Sequence, residues 1–330
     1  MDLCGDSFWE YTDYELAKAT FKHIQEINPQ LLYPYDALGN ICLESREYNA
    51  ALEYFNTCIN LDPAEPNAYA SRANYYFIRG NFDLAVRDII AAGKIRPEHS
   101  HIKYGRLYMV QGKYKEALHE FRTALQVQSE LRYLANIHSE IANLYFYRKD
   151  YDNALRECEI RANGDHQDPK LLFTQGFINA NINKINKAKE IAIRLKDFDN
   201  DIDNRIYIPL LKSCIYHKEG NSKNEQQELD DAASKLKYHD LKYSYYYQYE
   251  ISMMFLDLGR TNRALELFCD MIKVYPSHPR GYYGAALCEY KRNNISEALR
   301  YFNVALTLWN NATEELPEIE NANRIIAMLR

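Results

Sequence analysis

The chain has 330 residues and a net charge of −6 at pH 7, from 40 Lys and Arg against 46 Asp and Glu. The two signs are interspersed, so no basic stripe stands ready to neutralise phosphates, which argues against nucleic acid as a ligand. No apolar run approaches a membrane span.

The opening MDLCGDSFWEY lacks the basic and apolar regions of a signal peptide. Seven cysteines, odd in number and without a C-x-x-C pair, read as small buried hydrophobes of a reduced compartment. A cytoplasmic protein is expected.

In chain order, Ala17 and Phe21 lie on a helical stretch closed by Pro29. Tyr35–Pro63 then reads as two short helices around a polar turn at Glu44–Glu47. Tyr35, Leu38, Gly39 and Cys42 form one stripe at helical spacing, and Ala51, Phe55 and Cys58 form another. Gly39 and Ala51 are small where two antiparallel helices must approach, and Phe55 fills the space beside them. Neither helix can bury its stripe alone, so the unit requires copies.

A second such pair ends at Pro97. The next, around His101–Gln128, lacks a closing Pro, and the residues added after it predict a lengthened second helix. The following pair ends in the turn Asn163-Gly164-Asp165, after which Asp168-Pro169 supplies an N-cap and a first-turn Pro. Ile206–Tyr238 carries a degenerate copy, with Pro209, Lys212 and Glu225 breaking the pattern. Two regular pairs follow, separated at Pro276–Pro279. Beyond Thr313, Ile319, Ala322, Ile326 and Leu329 keep helical spacing, as a capping helix would.

The second-helix Ala recurs at Ala17, Ala51, Ala85, Ala117, Ala154, Ala188, Ala264 and Ala298, mostly 34 residues apart. With EYNAALEYFNTCINLDP, KYKEALHEFRTAL and RTNRALELFCDMIKVYP, this resembles the tetratricopeptide repeat, whose period is 34. The resemblance implies an all-α fold, a right-handed α-α superhelix of antiparallel helix pairs. It covers nearly the whole chain. The repeats fall at about 1–31, 32–65, 66–97, 98–134, 135–168, 169–205, 206–244, 245–278 and 279–312, with a capping helix at 313–330. Gly5 and Phe8 match the first helix of repeat one. Met1 falls at the fourth position of that repeat, so a chain excised from a longer array is one expectation.

Three sets of residues could suggest chemistry. Gly105 and Gly112-Lys113 are spaced wrongly for a phosphate loop, and Tyr114 stands where a Mg²⁺-binding hydroxyl belongs. Asp197, Asp199, Asp201 and Asp203 alternate like a calcium loop, but Ile202 and Ile208 replace its Gly and its bidentate Glu. His99 and His101 have no third ligand at a credible spacing. No catalytic group, metal site or cofactor is expected.

The resemblance places partners in a concave groove lined by the first helices. Its polar half carries Asn40, Asn74, Arg106 and Asn143 at one repeat position, with Lys103 beside them and Asp36 and Ser71 nearby. Adjacent first helices lie about 10 Å apart, close to three residues of extended strand. An Asn at each step could therefore grip a peptide backbone with its amide. Asp36 at the mouth speaks against the acidic chaperone tails that some members of the family bind.

The same positions further along give an apolar half: Phe173, Phe177, Leu210, Cys214, Tyr249 and Met253. These require burial, either by a partner helix or by the superhelix itself. Arg106 stands away from the packing positions, so its loss is expected to cost little stability. The reading is a non-enzymatic scaffold or adaptor that binds an extended peptide or a partner helix in this groove. The alternative is the regulatory or substrate-recruiting part of a larger enzyme or complex.

Overall fold

A computed structural model describes residues 14–128, 131–162, 168–198, 204–236, 241–310, 312 and 316–329. Gly5, Phe8, the Asn163–Asp165 turn, and Asp199, Asp201 and Asp203 lie outside the described residues, as does the side chain of His99.

Among the described residues the only regular structure is helix, and no strand occurs. Helix α1 (Tyr14–Ile27) precedes eight antiparallel pairs. These are α2 (Leu32–Glu44) with α3 (Tyr48–Leu61), α4 (Pro66–Ile78) with α5 (Phe82–Ile95), and α6 (Glu98–Val110) with α7 (Tyr114–Val127). Next come α8 (Leu131–Tyr147) with α9 (Tyr151–Ala162), and α10 (Pro169–Asn181) with α11 (Ile185–Arg194). The last three are α12 (Asn204–Lys218) with α13 (Ser222–Lys235), α14 (Leu241–Asp257) with α15 (Thr261–Val274), and α16 (Pro279–Lys291) with α17 (Ile295–Leu308). Helix α18 (Pro317–Leu329) follows.

Most helices pack mainly on their neighbours in order, the arrangement of an all-α repeat solenoid. The chain divides into two compact units, Met1–Lys103 and Tyr104–Arg330.

The turn inside every pair has the same geometry. One residue adopts left-handed φ, from Arg46 (62°) through Gly80, Gly112, Lys149 (60°), Asn183, Gly220 and Gly259 to Asn293 (61°). The next backbone N–H reaches back five residues, as Asn81 does to Tyr76 O at 2.8 Å and Asp150 to Tyr145 O at 2.9 Å. This satisfies carbonyls that the ended helix leaves open. Four of these residues are not glycine, which is why the turns are poorly marked in the sequence.

Pro66, Pro169 and Pro279 stand in the first turn of their helices, and the Asp168 carboxylate caps α10 by accepting from Leu171 N at 3.0 Å. The residues added after His101–Gln128 do not lengthen a second helix. Helix α7 has 14 residues, the same as α5, and α8 has 17. The packing face of α7 ends at Ala124, and no Pro fixes where α8 begins, so the extra residues extend the following helix instead.

Close helix contacts rest on glycine against phenylalanine. A Cβ on Gly39 would lie 2.5 Å from the Phe55 ring, and one on Gly105 would lie 2.3 Å from Phe121. Phe55 and Phe121 are fully buried. In the first unit, Arg72 on α4 pins its neighbours. It donates to Asp88 on α5 at 2.7 and 2.8 Å and to Asn56 on α3 at 2.6 Å. Bidentate geometry makes such a pair specific in orientation as well as attractive.

Candidate peptide-binding face

In the first unit, the predicted groove residues stand on α2, α4 and the start of α6. Asn40, Asn74, Lys103, Asp36 and Ser71 are all half-buried. The Asn40 amide donates to Asp36 O at 2.9 Å and to its carboxylate at 3.1 Å. Burial pushes the Asp36 carboxyl above the usual carboxylate range, against hydrogen bonds from Ser71 and Asn40. Lys103 Nζ donates to Asn74 Oδ1 at 3.1 Å and to Ala70 O at 3.3 Å. Among the described residues no hydrogen bond engages Asn40 Oδ1 or Asn74 Nδ2. The face thus keeps one amide acceptor and one amide donor on successive first helices.

In the second unit the residues at these positions are engaged by the chain itself. Arg106 on α6 contacts the buried Glu140 on α8 through Nη2 at 3.1 Å and Nε at 3.2 Å. Lys170 on α10 reaches the same Glu140 oxygen at 3.2 Å and Asn136 at 2.9 Å. Burial alone would raise the Glu140 pKa, but Lys170 and Arg106 together hold it below the usual range. Arg106 is therefore part of a buried ion network and not the dispensable groove side chain that the sequence suggests.

Glu140 escaped sequence reading, yet it left a signal. It lies 34 residues beyond Arg106, one repeat away and opposite in charge. Asn143 is half-buried on the same helix.

The apolar positions are likewise covered from within. The Phe173 ring stacks on Tyr207 at 4.6 Å and 14°, and Tyr247 meets both rings edge-on at 5.7 and 5.3 Å. Phe177 packs 5.5 Å from both Phe146 and Phe173. Leu210 is fully buried, Cys214 Sγ lies 3.6 Å from Met254 Sδ, Tyr249 is buried and Met253 is half-buried. The sequence left burial by a partner or by the chain open. Aromatic side chains from α8, α10, α12 and α14 supply it here.

Gly105 packs inside a helix contact and Gly112 serves a turn, so neither forms part of a phosphate loop. Among the described residues no cluster of three His, Cys, Asp or Glu is arranged to hold a metal. No described helix is long and apolar enough to cross a membrane.

The fold and its glycine–phenylalanine contacts define a class, the helical-repeat proteins. The tetratricopeptide-repeat family profile matches residues 33–65 and 249–313. The chain is a tetratricopeptide-repeat protein over most of its length.

It is similar to the TPR repeat-containing protein YpiA of Bacillus subtilis, 23% identical over 83% of this chain and 63% of that protein. It also resembles the TPR repeat-containing protein MJ1428 of Methanocaldococcus jannaschii, 23% identical over 82% of this chain and 49% of that one. The chain spans less than two thirds of the length of these curated relatives. The human IFIT1 dimer with PPP-AAAA shares the fold, with a TM-score of 0.55 at 15% identity over 92% of this chain and 69% of that one. Proteins of the family in general mediate protein–protein interaction.

Proposed function

We propose that the chain is a non-enzymatic interaction scaffold that holds an extended peptide segment on the first-helix face of its first unit. The observation that carries this reading is the pair of amide groups there. Asn40 offers an oxygen and Asn74 an N–H, matching the N–H and C=O that an extended backbone presents. Lys103 bonds Asn74 and so fixes which end of that amide faces outward.

A partner helix in the apolar half is the weaker reading, because Phe173, Phe177, Leu210 and Tyr249 are already buried. With a net charge of −6, the scaffold takes protein and not nucleic acid as its partner. A second reading, the recruiting part of a larger enzyme or complex, draws support from the greater length of the curated relatives.

The test is to pan displayed random peptides on the full chain and measure a selected peptide by fluorescence anisotropy. Asn74→Ala should weaken binding several-fold, for the loss of a hydrogen bond of about 1 kcal/mol. Unchanged affinity in Asn74→Ala and in Asn40→Ala, with helicity retained, would sink the proposal.

A further inference from the structure

One side chain in the second unit does work that neither the repeat pattern nor the proposed peptide face accounts for. Arg280 opens α16, directly after Pro279, and its side chain is 10% exposed. Its guanidinium lies 3.7 Å from the Tyr147 ring centre on α8 and 5.4 Å from that of Tyr249 on α14. It donates to the Tyr114 hydroxyl on α7 at 3.2 Å and pairs with Glu318 on α18 at 3.1 Å. Two aromatic rings, a phenol oxygen and a carboxylate thus surround one cation, a setting suited to a guanidinium.

The partners come from opposite ends of the unit. Tyr114 and Arg280 are 166 residues apart in the chain. Elsewhere in the unit, helices pack chiefly on those next to them in order.

A second contact joins the same ends. A Cβ on Gly112, in the α6–α7 turn, would lie 2.9 Å from Leu316 Cδ1, 3.1 Å from Ala312 Cβ and 3.6 Å from Trp309 Cδ1. Among the described residues these ends therefore meet at two places, the Arg280 cage and the Gly112 turn. Contacts that are few and local open with less free energy than a packed core, because only those contacts must be lost.

We infer that Arg280 is a latch, an intramolecular contact that closes the second unit by tying α16 to α7, α8, α14 and α18, and whose release opens the first-helix face bearing Tyr147 and Tyr249. Opening leaves the repeats themselves folded, because each keeps its neighbour-to-neighbour packing. The latch does not depend on peptide binding at the first unit.

The experiment is hydrogen–deuterium exchange on the full chain, with Arg280→Met keeping most of the side-chain length while removing the charge and its hydrogen bonds. Amides at the end of α8 and in α18 should exchange about tenfold faster or more, as expected for losing a desolvated cation–π and ion-pair contact. Those of α12 should hold their rate. In a Trp9→Phe background, Trp309 fluorescence should become more open to acrylamide quenching.

Wild-type rates in α18 and wild-type quenching, with helicity retained, would overturn the latch. If Arg280→Met fails to fold, native-state exchange of the wild-type chain in low urea decides the matter. The α18 amides should then open with weaker urea dependence than those of α12. Equal dependence, meaning that the ends part only when the unit unfolds, would overturn it as well.

Discussion

Glu140 is the residue whose replacement tests the electrostatics of the second unit most sharply. Its carboxylate has no exposure, and its counter-charges come from two other helices, Arg106 on α6 and Lys170 on α10. Removing the common anion from a buried ion network leaves both cations, which are 14% and 16% exposed, without their carboxylate. Breaking a buried pair in this way costs about 3–5 kcal/mol, and Glu140→Ala should fall in that range. Arg106→Ala should cost less, roughly 1–3 kcal/mol, because Lys170 still neutralises the carboxylate.

The double variant Arg106→Ala/Lys170→Ala should cost more than the sum of the single changes, since it removes both cations that face the buried carboxylate. Glu140 would then take up a proton, so that variant should recover stability as the pH is lowered from 7 to 5. The assay is urea denaturation at both pH values, with hydrogen exchange in α8 and α10 as a local probe, because a repeat array need not unfold in one step. A Glu140→Ala chain within about 0.5 kcal/mol of wild type, the range of ordinary surface changes, would refute the argument. So would strict additivity with no pH effect in the double variant.

Burial, and Arg280 beside it, lower the pKa of His278 to about 3. It therefore stays neutral when folded and protonates near 6.5 when unfolded, so stability is lost as the pH falls below 6.5 at about 1.4 kcal/mol per unit. Melting temperatures from pH 7 to 5 should decline more steeply in wild type than in His278→Asn, and equal slopes would refute this. Gly105→Ala must place its Cβ 2.3 Å from the fully buried Phe121 ring. Overpacking of about 1–3 kcal/mol should outweigh the roughly 1 kcal/mol that alanine gains in helix propensity, giving a lower urea midpoint. Lys149→Gly should raise the midpoint, for a stability gain of roughly 1 kcal/mol, because Lys149 is exposed at φ 60°. A fall in stability would show that the Lys149 side chain contributes more than its backbone strain costs.

The helix pairs and their contact residues were legible in the order of amino acids. A helix stripe must be buried, and Ala51, Phe55 and Gly39 are separated by distances that only antiparallel neighbours satisfy. These are short-range requirements, and the 34-residue period repeats them often enough to be read even through the degenerate copy at Ile206–Tyr238. The 34-residue period also put Asn40 and Asn74 at the same position of successive first helices.

Tertiary structure decided which side chains on that face are already taken. Arg106 reads as an open cation until Glu140, one repeat away, is seen to hold it. Phe173 reads only as an apolar side chain that something must cover until Tyr207 and Tyr247 are seen to cover it. Whether a first-helix face stays open depends on how tightly successive pairs wind. That winding is a sum of small rotations at many contacts, and no single residue in the sequence encodes it. The Arg280 cage lies furthest from sequence reading: its ends are 166 residues apart, and they meet only once every intervening pair has packed.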